Sequence, residues 1–430
     1  MPGTNGNLTI GPARTTAGFM NNPAFTRKRE IQARKKSGFF GNMSKKIGDV
    51  FGSSRTDRDM ALANSAAMVR VEKTQGDTHN WTMEKTLTGP PTFGDQRPET
   101  AGTLGFLHAE MVLHKTRSPA FQLPAEMDQI RAAGSVDINW DSAIREQVTK
   151  WHGECMAVES IKATLRGASD NLLAPVSAGA RALDIGRGAG VPVSPMNFIV
   201  RGLGKVSGAT LDAREADAIS KIGSLSTATA SHLISLKALY ELSEEISCAQ
   251  TEMIGMEIGG EERFFLVLPS LARNALQGTD STLVDYAKYQ AAWGPNSPLL
   301  QMAKFEVGKL IVFYDDFLNR FSPDVTGTNI VWGKDTTDFQ SWGYEDLTTA
   351  QKGRGIGLIY GRKALLQAYN AGIKYTTDEG PHETSSEISS MVKRSTVRAI
   401  WKDKQDSSAL PKEYGVMAFA FANKGITHGV

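Results

Sequence analysis

The longest hydrophobic pattern in the chain runs from Asp137 to Gly167. Ile144, Val148, Trp151, Cys155, Val158, Ile161 and Leu165 recur there at steps of four and three. That spacing lines them up on one stripe of an α-helix. Asp137, Asn139 and Asp141 supply the short acceptors and negative charge that favour a helix start, and Gly167 tolerates the backbone of a helix end. Gly153 costs about 1 kcal/mol relative to alanine, which the long stripe offsets. At ~1.5 Å per residue the helix would be roughly 40 Å long. Helical phase returns over Leu211–Ser243, through Ile219, Ile222, Leu225, Leu233, Leu236 and Tyr240, with Asp212 as the expected cap.

A second pattern is the short apolar or alternating run. Arg263–Leu268 (RFFLVL), stopped by Pro269, and Lys309–Tyr314 (KLIVFY) read as buried strands. Ser389–Ile400 and Tyr414–Asn423 read as closing strands. Trp81–Leu87 alternates bulky and polar residues, and so does the second half of Leu104–Arg117, which predicts two strands of a hairpin over 76–121. The intervening TGPPTFGDQRPETAG is too rich in glycine and proline to be regular. A hairpin this long cannot cover itself, so it forms the edge of a larger sheet or projects onto a neighbour. Short helices are expected at Asp59–Val71, Ser270–Gln277 and Leu283–Trp293. Trp332–Tyr344 reads as a tryptophan-rich loop, and Gly353–Asn370 as a glycine-rich strand passing into a helix. Strands separated by helices, with antiparallel hairpins at the ends, predict an α+β fold.

Residues 1–60 show almost no periodicity, apart from a short basic helix expected at Thr26–Lys36. Their charge is distinctive. They hold eleven Lys or Arg and four Asp or Glu, a balance of +7, while the whole chain carries +2, so the remainder carries −5. A basic arm on a mildly acidic body is suited to lying on something acidic, either nucleic acid or a neighbouring copy. Such an arm buries too little apolar surface to fold alone and is ordered by partners.

The totals are those of an ordinary globular protein. The chain has 430 residues, 40% hydrophobic and 22% charged, enough for two or three domains. No run of about 18 apolar residues suggests a transmembrane helix, and the N-terminus lacks a signal peptide's apolar core. Two cysteines, Cys155 and Cys248, cannot make a disulfide framework, which fits a reducing compartment. The Asn7-Leu8-Thr9 sequon is read as chance.

Candidate chemistry is sparse. The seven histidines are scattered, with no HExxH and no Cys-x-x-Cys, so a zinc site is not expected. His108 and His114 read as surface residues. No GxSxG elbow is present. Gly186–Gly190 (GRGAG) fits neither GxxxxGK[ST] nor GxGxxG. Gly355 and Gly357 suit phosphate binding or close packing equally. Asp315-Asp316 and Glu244-Glu245 read as solvated faces rather than acid/base pairs. Nothing here requires an enzyme, a cofactor or a metal.

The order of elements — basic arm, long hairpin, long helix, mixed α/β body, closing strands — resembles the Hong Kong 97-type fold of tailed-phage major capsid proteins. Four stretches are similar to the podovirus-type branch. Gly89–Phe121 resembles its extended-loop segment, with a Gly-Asp tip and Arg117 after the returning strand. Gly255–Leu276 resembles the entry to the axial domain. Pro295–Phe317 resembles the next segment, with Met302 or Ala303 where a glycine is usual and Asp315 or Asp316 as its acid. Gly355–Ala368 resembles a later helix.

The resemblance implies four parts: an arm at 1–75, an extended loop at 76–125, a peripheral domain at 126–210 and 385–430 with spine helix 137–167, and an axial domain at 211–384. It implies a non-enzymatic shell protein of the virion, assembled in the host cytoplasm into hexamers and pentamers around double-stranded DNA. Pro90, Pro91, Phe93, Arg97 and Arg117 would contact adjacent subunits. Arg27, Lys28, Arg29, Arg34, Lys35 and Lys36 would touch neighbours or DNA phosphates, without reading sequence. A separate scaffolding protein, a portal and a decoration protein are further implied partners; no membrane is. Since the chain begins at Met1, no N-terminal maturation cleavage is expected. Two other readings stay open: a nucleic-acid-binding protein using the arm, and a phosphate-ligand-binding or enzymatic α/β protein using Gly186–Gly190 or Gly353–Gly357.

Overall fold

The computed structural model of the chain describes residues 32, 44–46, 68–72, 78–84, 106–124, 140–166, 195–247, 253–258, 261–279, 305–327, 329–333, 344–379, 385–403 and 411–423. Strands and helices are numbered along the chain. The organising element is helix α1, Trp140–Arg166. All of the predicted stripe is buried except Trp151, which is half-buried. Burial also exceeds the stripe: from His152 to Leu165 only Glu154 retains appreciable exposure. A single amphipathic face would not produce that, so α1 must be covered from more than one side.

Two sheets cover it. The first is six-stranded. It is built on a long antiparallel pair, β16 (Leu365–Glu379) and β17 (Ser385–Arg398), with β2 (Met68–Glu72) parallel to β16 and β1 (Ser44–Lys46) parallel to β2. Strands β5 (His114–Arg117) and β6 (Phe121–Pro124) both pair antiparallel with β17. Helix α1 packs Ile144, Val148 and Met156 against Tyr369, Ile373, Tyr375 and Val392 of the long pair.

The second sheet is eight-stranded and mixed. Its order is β11 (Phe305–Val307), β12 (Leu310–Asp315), β10 (Glu261–Pro269), β15 (Arg354–Tyr360), β19 (Val416–Ala422), β7 (Asn197–Val200), β8 (Gly204–Lys205), with β9 (Met256–Ile258) beside β10. Its central strands are apolar on both faces because both are covered. On one side Phe265, Phe313, Ile356 and Leu358 meet Cys155, Val158, Ile161 and Leu165 of α1. On the other, Leu266, Leu268, Val312 and Phe419 meet Leu239 and Leu242 of α3 (Leu236–Ser247) and Ala272 and Leu276 of α4 (Ser270–Thr279). Helix α1 is thus shared between the two sheets.

A smaller sheet, β3 (Thr78–Glu84), β4 (Phe106–Val112) and β18 (Lys402–Asp403), packs Trp81, Leu107, Ala109 and Met111 onto Leu366, Ala368 and Val397. It covers the face of the long pair that α1 leaves open, at the Leu366 end. Strands β13 (Pro323–Thr326) and β14 (Asn329–Trp332) form a separate ribbon, with the one-turn helix α5 (Thr349–Lys352) following.

Several expectations need correction. The α1 start falls at Trp140, with Asp141 in its first turn; Asp137 and Asn139 lie outside the described residues. Leu104–Arg117 is not one strand. It breaks at buried Leu113, and β4 and β5 belong to different sheets. The odd-numbered positions that are buried through Leu113 become exposed at Lys115 and Arg117, so the alternation looked continuous in sequence although its environment changed. Gly353–Asn370 does not turn helical. Leu365–Tyr369 is buried on both faces inside the six-stranded sheet, and that packing overrides the helix propensity of ALLQA. Of Asp59–Val71 the described part, Met68–Val71, is strand. Asn197–Val200 is a fully buried strand although it follows a stretch rich in glycine and proline. Helix α2 (Leu211–Gly223) is capped by Thr210, whose Oγ1 accepts from Ala213 N at 3.2 Å, rather than by Asp212. Tyr240, expected on a buried stripe, is 39% exposed. Trp332 is a buried strand residue and not part of a loop. Leu283–Trp293 lies outside the described residues.

Candidate functional site

The densest polar constellation lies along α1. Glu159 receives a bidentate pair from Arg394 of β17, Nε to Oε2 at 2.7 Å and Nη2 to Oε1 at 2.8 Å. Both side chains are almost fully buried, at 2% and 3% exposed. One helical turn on, Arg398 donates to the Thr164 carbonyl at 2.6 Å and pairs with Glu413 at 2.8 Å, again without exposure. Glu413 in turn accepts from Met196 N at 3.0 Å, and its carbonyl accepts from Asn197 Nδ2 at 3.0 Å. Thr164 shares a 3.0 Å hydrogen bond with the Tyr360 hydroxyl. At the other end His152 Nε2 lies 2.8 Å from Ser390 Oγ, and Ser390 N donates to Ser118 Oγ at 2.9 Å. These contacts tie α1 to β17, to the link between β5 and β6, to β15 and to the start of β7.

Cys155, His152 and Glu159 share this helix and superficially form a nucleophile constellation. The electrostatics are those of the opposite case. Burial first, then the Glu159 carboxylate, push the Cys155 thiol well above its usual range, whereas a reactive cysteine is held low as thiolate. Burial and then the Arg394 cation push His152 well below its usual value, so it is neutral. The constellation is a structural clamp. Sequence offered no signal for it, because Glu159 and Arg394 are separated by 235 positions.

Asp315 departs from the solvated-face expectation. It is 7% exposed, and its Oδ1 accepts from Phe317 N at 2.8 Å and Leu318 N at 3.2 Å, capping the short 3₁₀ turn that follows β12. Burial raises its carboxyl to about 6 against those two hydrogen bonds, which lower it. Asp316 is exposed, and Glu244 is too.

The glycine-rich readings resolve unevenly. Gly186–Gly190 lies outside the described residues. Gly355 and Gly357 sit inside β15, registered against Phe421 and Phe419 of β19. A Cβ on Gly355 would lie 2.4 Å from a Phe421 ring carbon, and one on Gly357 2.9 Å from Leu268 Cδ2. These glycines admit side chains from neighbouring strands within a paired, buried sheet, which does not leave them a phosphate cradle. Gly355→Val is therefore expected to lower stability by about 1–3 kcal/mol through overpacking, read as a shift of the urea midpoint at unchanged slope. An unchanged midpoint would show that the Phe421 ring has room to move aside.

Of the residues expected at contacts, Arg117 is exposed on β5, registered against Met391. Pro90, Pro91, Phe93 and Arg97 lie outside the described residues, as do Arg27, Lys28, Arg29, Arg34, Lys35 and Lys36. Among the described residues, no group of three or more His, Cys, Asp or Glu could hold a metal ion, and no helix is long and apolar enough to cross a membrane.

The structure is similar to the capsid of Ralstonia phage GP4, with a TM-score of 0.55 and 15% identity over 84% of this chain and 89% of that one. It is also similar to the capsid asymmetric unit of cyanophage Pam1, with a TM-score of 0.52 and 14% identity over 82% of this chain and 87% of that one. No protein-family model and no curated protein matches the sequence.

Proposed function

We propose that this chain, which has the Hong Kong 97-type fold of tailed-phage capsid proteins, is the major capsid protein of a tailed double-stranded DNA phage. Copies assemble into hexamers and pentamers of an icosahedral shell around the genome. The observation that carries this reading is the extent of the likeness, which takes in more than four fifths of the chain and nearly nine tenths of the GP4 capsid protein. The role is structural rather than catalytic. It also accounts for polar chemistry that goes into clamping a helix between two sheets.

The division of labour follows the fold. The arm, 1–75, and the extended loop, 76–125, reach neighbouring copies, the loop through Pro90, Pro91, Phe93 and Arg97 with Arg117 at its base. The peripheral domain takes 126–210 and 385–430 and is built on α1 and β17, with β16 reaching it from the stretch 211–384. The axial domain, 211–384, is built on the eight-stranded sheet, which β19 joins on the chain's return. The cations of the arm (Arg27, Lys28, Arg29, Arg34, Lys35 and Lys36) run along neighbours or meet DNA phosphates. A separate scaffolding protein and a portal are the partners of assembly.

Deleting residues 1–36 tests the arm. The truncated chain is expected to keep its unfolding transition and to fail to form shells, read by sedimentation and electron microscopy beside the full chain. Normal shells from the truncated chain would remove the arm from assembly.

A further inference from the structure

His152 forms one end of the clamp and reaches three elements. Its Nε2 lies 2.8 Å from Ser390 Oγ of β17. Ser390 N donates to Ser118 Oγ at 2.9 Å, and Ser118 N donates back to the Ser390 carbonyl at 2.8 Å. Ser118 lies between β5 and β6, so the contacts run from α1 through β17 to both edge strands. His152 and Ser390 are 0% exposed and Ser118 is 6% exposed.

The second ring nitrogen, Nδ1, is buried and has no hydrogen-bond partner among the described residues. Adding a proton makes both nitrogens donors. The Nδ1–H is then buried without an acceptor, and a second cation joins Arg394 in a dry interface. A buried orphan donor and an uncompensated buried charge are both costly. The groups packed around this interface do not offset that cost. On α1, Glu159 already receives Arg394 on both oxygens, Cys155 is held as a neutral thiol, and Glu154 pairs with Lys150 at 3.9 Å. Strand β16 offers the phenols of Tyr369 and Tyr375, and β17 offers Arg394. On β5, His114 is registered against Arg394. Burial and then Arg394 hold the His152 ring neutral.

We propose that His152 is an acid-sensitive latch: its protonation releases α1 from β17 and from the β5–β6 link, while the eight-stranded sheet stays folded. The chemistry is independent of the capsid reading. Under that reading, β5 and β6 are the base of the extended loop, and acid loosens its seat. A released ring takes up its proton below about pH 6.5, whereas the latched ring does so only well below that. Between those values the released form holds one proton more, so the ratio of released to latched chains rises about tenfold per pH unit of acidification. Asp315 works in the opposite sense, because its folded carboxyl is raised to about 6. A global unfolding midpoint sums the two slopes, and a local readout separates them.

Hydrogen–deuterium exchange of the full chain from about pH 7.5 to about pH 4.5, corrected for the intrinsic pH dependence of amide exchange, supplies that readout. Peptides carrying Ser118 and Ser390 are expected to lose protection about tenfold per unit below about pH 6.5, while peptides of β10 keep theirs. His152→Gln still offers the Ser390 hydroxyl a partner but does not titrate, and should abolish the pH dependence. His152→Phe, a non-titrating ring of similar shape, is the second check. Three outcomes overturn the latch: protection at Ser118 and Ser390 that is flat with pH, protection that falls in step with β10, or an equal slope in a folded His152 variant. The last would assign the proton to another group, such as His114. If neither variant folds, the natural chain decides: a one-proton slope confined to the two peptides supports the latch, and its absence overturns it. None of these outcomes bears on the shell, which electron microscopy at neutral pH tests separately.

Discussion

Glu159→Ala is expected to destabilise the folded chain by about 3–5 kcal/mol, the cost of leaving a buried charge without its partner. Arg394 is 3% exposed. Burial alone would lower its guanidinium, but the Glu159 carboxylate outweighs burial and holds it above its usual value. With Glu159 truncated, that cation loses both carboxylate oxygens at 2.7 and 2.8 Å and stays trapped beneath α1. Arg394→Met should cost a similar amount for the mirror-image reason. The double variant, Glu159→Met with Arg394→Met, should recover much of the loss, because an apolar pair of similar volume has no desolvation penalty to offset. Urea unfolding of the natural chain, Glu159→Met, Arg394→Met and the double variant closes the cycle and gives the coupling directly. Single losses below about 1 kcal/mol would mean that water reaches the pair, as at a surface salt bridge.

Asp315 gives the second large effect, with a sign that runs against the usual carboxylate. Its folded pKa of about 6 lies above the ordinary value of 3.8. Between those values the folded state holds more protons than the unfolded one, so this group's contribution falls as pH rises from about 4 to about 6 and stays low above that. The full penalty is on the order of 3 kcal/mol. Asp315→Asn keeps an oxygen for Phe317 N and Leu318 N while removing the charge. It should raise the urea midpoint at pH 8 and flatten the profile between pH 4 and 6. Asp315→Ala instead orphans both N–H groups and should cost about 1–3 kcal/mol, relieved in part by the lost charge. If the asparagine variant is as unstable as the alanine one at pH 8, the carboxylate is not paying a burial cost there.

Much of this architecture was legible because it depends on local periodicity. The α1 stripe, the RFFLVL and KLIVFY strands and the closing strands were readable from neighbouring residues alone. What failed depended on partners distant in sequence. Leu365–Tyr369 has helix-forming residues and becomes a strand because β2 and β17 flank it. Asn197–Val200 is only four residues long, in a glycine- and proline-rich stretch, yet β19 recruits it. The change of sheet at Leu113 leaves alternation intact and so leaves no trace in the pattern. The buried pairs Glu159–Arg394 and Arg398–Glu413 were invisible, since a charged residue on a helix reads as solvated until the sheet that buries it is known.

The central claim is that this chain builds a closed shell, and electron microscopy of the purified full-length protein, concentrated and crowded, tests it most directly. Closed shells or flat arrays of hexamers, with matching fast-sedimenting material, are the predicted result. A folded protein that associates only into dimers or other small closed species, with no ring, hexamer array or shell in any field, would contradict it.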